Sequence, residues 1–182
     1  MAVRFEAAAT ASAVGRLQRA SEITGAPYTV LVWMQVDAAS GKGTEVFDLY
    51  SSDWSSDAWV ELGSDNNVIF YGTDSHLFSS SGAWVNGAWH CYAMTRSGTT
   101  QTAYRLDGGI VLSRTTSSPS AFDFETLCGY DDDPDSAGCA AMHYKAWSAA
   151  LTPEELAHEM QQFAPVRTAN LVSWSKLASH TD

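Results

Sequence analysis

The stretch AWHCYAMTRSGTTQTAYRLDGGIVLSR, residues 88–114, contains the clearest pair of strands in the chain. Two sets of side chains alternate in its first part: Trp89, Cys91 and Ala93 on one face, and His90, Tyr92 and Met94 on the other. Because both faces are largely apolar, this strand is predicted to be central and covered on both sides. The turn RSGTTQ leads to a second strand, and DGG at Asp107–Gly109 is a tight-turn signal before a third, IVLSR.

Short strand-like segments also fill the part of the chain before this pair. They are YTVLVWMQV (28–36), EVFDLYSS (45–52), AWVELG (58–63), NVIFYG (67–72) and SHLFSS (75–80). The turns GSDNN and GTD separate the last three, and the segments are rich in β-branched and aromatic residues. Short strands at such regular spacing indicate an antiparallel sandwich or barrel.

One helix is predicted, in ALTPEELAHEMQQF (150–163). Thr152 is the expected N-cap, Pro153 the first helical residue, and Glu155 completes a capping box, with Leu151 packing onto the helix as a hydrophobic staple. The spacing gives one narrow apolar stripe, which predicts a surface helix that buries one side: Leu156, Met160 and Phe163. The segment PVRTANLVSWSKL (165–177) is then predicted to return as a last strand near the first, VRFEAA (3–8).

Length and charge limit the possible functions. A chain of 182 residues with 45% hydrophobic and 17% charged residues is predicted to form a single domain spanning residues 1–182. A net charge of -11 argues against binding to nucleic acid or to anionic membranes. No apolar run approaches the roughly 18 residues of a membrane span, so membrane insertion is not expected.

The N-terminal segment MAVRFEAAATASAVGRL lacks the cationic head and apolar core of a secretory signal. Three alternatives therefore stay open for localisation. Either the protein remains inside the cell, or a signal has been removed, or the protein leaves by another route, such as lysis that releases a virus particle. An extracellular surface or a virion is the expected setting.

The ordered motifs of the chain resemble a known family. The chain resembles the laminin-G-like branch of the concanavalin A-like lectin/glucanase superfamily in three stretches taken in order: NGAWHCYAMTRSG, AYRLDGG and LCGY…AGCAAMHYKAWSAALTPEEL. The matching positions, which fall between Tyr28 and Trp174, are Trp33, Trp89-His90, Tyr104 with Asp107-Gly108, Gly129, and Leu151-Thr152 with Glu155. The resemblance implies an all-β, two-sheet antiparallel jelly-roll sandwich with one short surface α-helix near the C-terminus.

Such a fold carries glycan-binding modules, adhesion domains, virion components and some enzymes, so the fold does not fix the function. Hydrolytic members align three carboxylates as Glu-x-Asp-x-x-Glu on one strand, and this chain lacks that array. Glu45 and Asp48 are predicted to lie on opposite faces of a strand. Asp123 and Glu125 align without a third carboxylate and are interpreted as a solvent-facing strand or loop edge. No catalytic residue is therefore predicted, and we expect a protein that is not an enzyme.

The acidic segment LCGYDDDPDSAGC (127–139) is interpreted as a hairpin between two late strands. Asp131, Asp133 and Asp135 alternate as calcium ligands do. The EF-hand pattern nevertheless fails, because Ser136 stands at its sixth position, which requires glycine, and Met142 at its twelfth, which requires glutamate. The tip is either simply solvated or a looser Ca²⁺ site. Cys128 and Cys139 either form a disulfide across the hairpin or are two buried thiols.

Three aromatic residues are predicted to bind a ligand from loops. Trp54 and Trp84 are surrounded by small polar residues, and Tyr130 lies at the base of the acidic segment. Aromatic rings beside carboxylates suit sugars, which have an apolar face and hydroxyl edges. The alternative is that these rings plug the ends of the sandwich or an oligomer interface. Three other tryptophans are predicted to be core or half-buried: Trp33, Trp89 and Trp147.

Two functions follow from these observations. The first is a non-catalytic, lectin-like recognition module that binds glycan or cell-surface carbohydrate through loops at the sandwich edge, with Ca²⁺ as the one candidate cofactor. The second is a virion structural or decoration protein, or an adhesin subunit, whose partners are proteins or further copies of itself in a homo-oligomer.

Overall fold

The computed structural model describes residues 3–5, 17–36, 44–53, 57–62, 67–72, 75–78, 87–105, 110–115, 122–127 and 139–175. Within these ranges there are thirteen strands and one helix. In chain order they are β1 (Val3–Phe5), β2 (Leu17–Ala20), β3 (Tyr28–Val36), β4 (Thr44–Tyr50), β5 (Asp57–Leu62), β6 (Val68–Gly72), β7 (Ser75–Phe78), β8 (Trp89–Ser97), β9 (Thr100–Arg105), β10 (Ile110–Thr115), β11 (Phe124–Leu127), β12 (Cys139–Trp147), α1 (Pro153–Met160) and β13 (Leu171–Ser175).

The strands form two antiparallel sheets, as the sequence predicted. Sheet A has the order β1-β12-β3-β8-β9-β10, and β13 also pairs with β12. Sheet B has the order β2-β11-β4-β5-β6-β7. In sheet A, β3 lies between β12 and β8. The strands of residues 88–114 continue the sheet from β3 through β8, β9 and β10.

The main core lies between the two sheets and follows the two-residue period of the strands. Sheet A contributes Val30, Val32, Met34, Tyr92 and Met94, and sheet B contributes Phe47, Leu49, Ala58, Val60, Val68 and Phe70. All of them are buried. The side chains between them along each strand therefore point to the opposite face of their sheet.

A second apolar cluster covers the other face of sheet A. Leu31, Cys91, Ala93 and Trp147 pack there against Leu151 and Leu156 from the region of α1. This cluster explains why both faces of β8 are apolar, and it confirms that β8 is a central strand covered on both sides. Trp147 is fully buried, while Trp33 and Trp89 are half-buried, as predicted.

The predicted start of the helix is confirmed, but its apolar stripe is shorter than predicted. The Glu155 N–H donates to Thr152 Oγ1 at 3.3 Å, and the Thr152 N–H donates to Glu155 Oε2 at 2.8 Å. The helix ends at Met160, because the N–H of Gln161 already turns back to the His158 carbonyl. Phe163 consequently lies beyond the helix and is 72% exposed, so the prediction that it buries with Leu156 is wrong.

A buried ion pair fixes α1 to sheet A. Lys145 Nζ on β12 donates at 2.8 Å to Glu159 Oε2, to the Glu159 carbonyl and to the Gln162 carbonyl, which accounts for all three of its protons. Glu159 Oε1 accepts the N–H groups of Val166 and Arg167. Both side chains are at most 1% exposed, so a complete set of partners satisfies a charge pair that would otherwise be costly to bury.

The acidic segment does not connect two paired strands. β11 before it pairs with β2 and β4 in sheet B, whereas β12 after it pairs with β1, β3 and β13 in sheet A. The hairpin interpretation is therefore wrong, because the chain passes from one sheet to the other between these strands. The in-register argument for a disulfide between Cys128 and Cys139 falls with it, and Cys128 itself lies outside the described residues.

The C-terminal strand returns near the first strand, as expected. β1 pairs with β12 at residues 139–141, and β13 pairs with β12 at residues 144–147, opposite β3. Both short strands therefore share one edge of β12. No helix among the described residues has the length and the run of apolar side chains that crossing a membrane requires.

Candidate functional site

The site residues predicted from the sequence lie where the structure gives no description. Trp54 falls between β4 and β5, Trp84 between β7 and β8, and Tyr130, Asp131, Asp133 and Asp135 between β11 and β12. The calcium hypothesis therefore stays a prediction. In the ranges given above, no group of three or more His, Cys, Asp and Glu side chains is placed to hold a metal ion.

The described residues do bring a set of polar and aromatic side chains together on the outward face of sheet B, the face opposite the main core. In β4, β5 and β11, Asp48 is paired with Trp59 on one side and with Thr126 on the other. Residues paired in this way have Cβ atoms about 5 Å apart on the same face. Thr126, Asp48 and Trp59 therefore form one row across three strands.

Tyr71 extends this row to β6. Its ring stacks on the Trp59 ring with centroids 4.0 Å apart and an interplanar angle of 11°. Trp59 therefore connects Tyr71, on which it stacks, with Asp48, its partner in register on β4. The backbone of His76 on β7 is paired with Tyr71, so it occupies the next position of the row.

Exposure falls along the row from β6 to β11. Tyr71 and Trp59 are half-buried, whereas Asp48 is 3% and Thr126 2% exposed. Asp57 and Glu61, which share the outward face of β5, are also half-buried. The outward face is thus open to solvent at β5 and β6 and closed at β4 and β11.

Three buried polar atoms of the row have no hydrogen-bond partner among the described residues: two lie at the closed end, and the third belongs to the neighbouring Trp59. They are Asp48 Oδ1, Thr126 Oγ1 and Trp59 Nε1. Buried polar atoms are almost always hydrogen-bonded in native proteins, so three orphans in one row call for an explanation. A ligand that supplies the missing partners is one such explanation.

The charge state of Asp48 follows from its surroundings. Burial raises the pKa of its carboxyl well above the ordinary value of 3.8, and the negative charge of Asp57 raises the pKa further. A hydrogen bond from the Leu49 N–H opposes this shift only in part. Asp48 is therefore held as a neutral acid above the pH at which a solvated aspartate ionises.

This shift predicts the effect of Asp48→Asn on stability. Because the folded protein keeps the Asp48 proton above the pH at which the unfolded chain releases it, stability falls as pH rises from about 4 toward the raised pKa. Asparagine removes this loss, so D48N should raise the free energy of unfolding at pH 8 by about 1–3 kcal/mol and much less at pH 4. Urea unfolding at both pH values measures it.

Asp123→Asn provides the control of opposite sign. Asp123 is exposed. Hydrogen bonds from the Ser52 N–H, with the larger effect, and from the Ser52 hydroxyl lower the pKa of the Asp123 carboxyl. Asp123 therefore stabilises the fold above the unfolded-state pKa and loses that effect in acid, so D123N should lower stability at pH 8. A loss of stability in D48N at pH 8 would contradict the account of Asp48.

Of the two carboxylate pairs considered from the sequence, Asp123 and Glu125 are placed differently than predicted. Asp123 precedes β11 and is exposed. Glu125 is buried, and its Oε2 accepts a hydrogen bond from the Tyr144 hydroxyl across the sandwich core, with the two oxygens 2.5 Å apart. Asp123 and Glu125 form no acid pair, and the solvent-facing interpretation of Glu125 is wrong. For Glu45 and Asp48, a β-bulge between Glu45 and Phe47 interrupts the regular alternation on which the prediction of opposite faces depended, and the Glu45 side chain itself lies outside the described part of the structure.

Trp59, Tyr71 and Thr126 were not among the site residues predicted from the sequence. Trp59 and Tyr71 stand between core residues in AWVELG and NVIFYG, so the alternation could have identified them as outward-facing aromatics. Asp48 stands in the middle of the strand EVFDLY, where aspartate is uncommon. The unusual position of Asp48 could therefore be seen in the sequence. Its neighbours in space could not, because they come from other strands, one of them distant in sequence.

Comparison with known proteins agrees with this fold. The family described as the concanavalin A-like lectin/glucanases superfamily, in its laminin G type, matches residues 10–157. No curated protein sequence matches the chain. A native heptameric SAP-like pentraxin from Limulus polyphemus is similar, with a TM-score of 0.65 and 13% identity over 86% of this chain and 80% of the pentraxin.

Receptor-binding domains of bacterial toxins are also similar. The binding domain of botulinum neurotoxin serotype D has a TM-score of 0.68 and 9% identity over 87% of this chain. That of botulinum neurotoxin DC, solved in complex with SialylT, has a TM-score of 0.63 and 10% identity over 90% of this chain. This chain spans 41% and 42% of those structures, and at such low identity the similarity establishes the fold alone.

Proposed function

Because the chain belongs to the concanavalin A-like lectin/glucanase superfamily as a laminin G-like domain, we propose that it is a non-catalytic carbohydrate-recognition domain. The single observation that carries this proposal is the row on the outward face of sheet B. There the stacked Trp59 and Tyr71 rings adjoin buried polar atoms of Asp48 and Thr126. Sugars present an apolar ring face to aromatic side chains and hydroxyl groups to polar ones.

The loop aromatics predicted from the sequence fit the same proposal. Trp54 belongs to the connection between β4 and β5, the strands that carry Asp48 and Trp59. We propose that Trp54, Trp84 and Tyr130 extend the binding surface at the sandwich edge. The neighbouring structures support carbohydrate recognition, since one of them was solved with SialylT bound.

A glycan array with and without a chelator tests the proposed function. We expect the wild-type protein to retain at least one class of glycan. Loss of that binding with EDTA would support a Ca²⁺ ion held by Asp131, Asp133 and Asp135, and unchanged binding would remove the calcium hypothesis. Absence of any bound glycan, with Ca²⁺ present or removed, would contradict the proposed function.

The proposed lack of catalysis has a separate test. Glycoside hydrolysis needs an acid and a second carboxylate that both reach the scissile bond. This chain lacks the Glu-x-Asp-x-x-Glu array that aligns such carboxylates on one strand, and Asp48 and Asp57 lie on two different strands of the outward face. Incubation with every retained glycan should therefore release no reducing ends, and release that D48N abolishes would identify a hydrolase instead.

Assembly through protein contacts is the second candidate function, in the manner of a virion or adhesin subunit. Exposed apolar side chains on the segments after α1 favour it: Phe163 at 72%, Val166 at 57% and Trp174 at 40%. Exposed apolar residues of this size are typical of contact surfaces when they cluster. Size-exclusion chromatography with light scattering tests this candidate, because a strict monomer at high concentration would contradict it.

A further inference from the structure

We propose that Asp48, Thr126 and Trp59 form a closed polar subsite that takes an uncharged hydroxyl or acetamido group of the ligand and rejects anionic sugars. This inference rests on the proposed function, since it concerns what the outward face of sheet B selects. The three residues come from neighbouring strands, are adjacent in register, and each have one buried polar atom without a partner in the described structure.

The chemistry of the three atoms defines the group they would accept. The Trp59 indole N–H donates only, the Thr126 hydroxyl donates and accepts, and a neutral Asp48 carboxyl does both. A sugar hydroxyl or an acetamido group also offers both a donor and an acceptor. Such a group can satisfy all three atoms without bringing a charge into a closed site.

The electrostatics of the site disfavour an anionic group. Asp57 lies on the same face close enough to raise the pKa of the Asp48 carboxyl, and the whole chain has a net charge of -11. A carboxylate ligand at this position would lie near the negative charge of Asp57 in a poorly solvated place, which disfavours its binding. Neutral glycans avoid this repulsion.

The gradient of exposure gives the direction of entry. A sugar can contact the half-buried Trp59 and Tyr71 rings first, where the outward face is open. Its substituent then points along the row toward Asp48 and Thr126, which are nine-tenths or more buried. The aromatic pair therefore provides contact area, and the buried row provides selection among substituents.

The experiment compares T126V, W59F and a matched control, T102V, by glycan array and calorimetry. Thr102 lies on β9 in sheet A, where its hydroxyl is 3.1 Å from Ser113 Oγ, away from the outward face of sheet B. T126V removes one polar atom and nearly keeps the shape, whereas W59F removes the indole N–H together with part of the ring system and keeps an aromatic ring for Tyr71. We expect each to weaken binding of neutral glycans roughly five- to tenfold, with T102V unchanged.

Unfolding curves of the same variants test the orphan atoms without any ligand. Because the Thr126 hydroxyl has no partner in the part of the chain that the structure describes, T126V should be as stable as the wild type or more stable. Three results would each overturn the subsite and leave the proposed function standing. They are a lower stability of T126V, an unchanged glycan affinity in T126V and W59F, and a preference for sialylated over matched neutral glycans. A wild-type protein that binds no glycan would overturn both.

Discussion

Replacement of Glu159 by glutamine is expected to lower the free energy of unfolding by about 3–5 kcal/mol, because it leaves the buried Lys145 charge without its counter-ion. Lys145 is fully buried and has its three protons on Glu159 and Gln162, so it has no route to solvent. The amide of glutamine can still accept the N–H groups that Glu159 Oε1 accepts, but it carries no charge. Urea unfolding at pH 7 measures the loss.

The surface pair of the same helix is the matched control. Arg167 and Glu155 also form a salt bridge, but their side chains are 30% and 36% exposed. R167Q should therefore cost at most about 1 kcal/mol. The double variant K145M/E159Q should recover part of the loss, since it removes the unpaired charge. Equal effects of E159Q and R167Q would contradict the role of the buried pair.

Trp59→Ala should weaken glycan binding by about 2 kcal/mol, roughly 30-fold, because large aromatic side chains dominate the energy of recognition surfaces. The substitution removes the indole beside Asp48 in the row and with it the ring on which Tyr71 stacks. Calorimetry with the tightest glycan from the array measures the change. Circular dichroism and an unfolding curve establish that the variant is folded.

Trp174→Ala is the control for this prediction. Trp174 lies on β13 in sheet A and is 40% exposed, so it is a tryptophan of comparable accessibility on the other sheet. Its removal should leave glycan affinity within about twofold, a difference well under 1 kcal/mol. A folded W59A protein with wild-type affinity, or a larger loss in W174A, would move the site to another surface.

Local patterns in the sequence predicted much of the fold. The alternation in WHCYAM identified β8 as a central strand, and the capping box at Thr152 and Glu155 fixed the start of α1. These features depend on residues within a few positions of one another, so the sequence carries them directly. The end of the helix was missed because it involves Lys145 on β12, which binds the carbonyl groups of Glu159 and Gln162, 14 and 17 residues later in the chain.

Pairings between distant segments could not be predicted in the same way. The acidic segment looked like a hairpin because its flanking strands are adjacent in sequence, yet β11 and β12 belong to different sheets. The row of Thr126, Asp48 and Trp59 depends on the register of three strands, one of them more than 60 residues from the others. A sequence shows that each residue faces outward, but not which outward-facing residues meet.

The most direct measurement of the central claim is a titration of the ¹⁵N-labelled protein with its tightest glycan, followed by NMR. Binding on the outward face of sheet B should give the largest shift changes at the Trp59 indole N–H and at the backbone amides of β4, β5 and β6. Changes confined to α1 and β13, with the Trp59 indole signal unmoved at saturation, would contradict it.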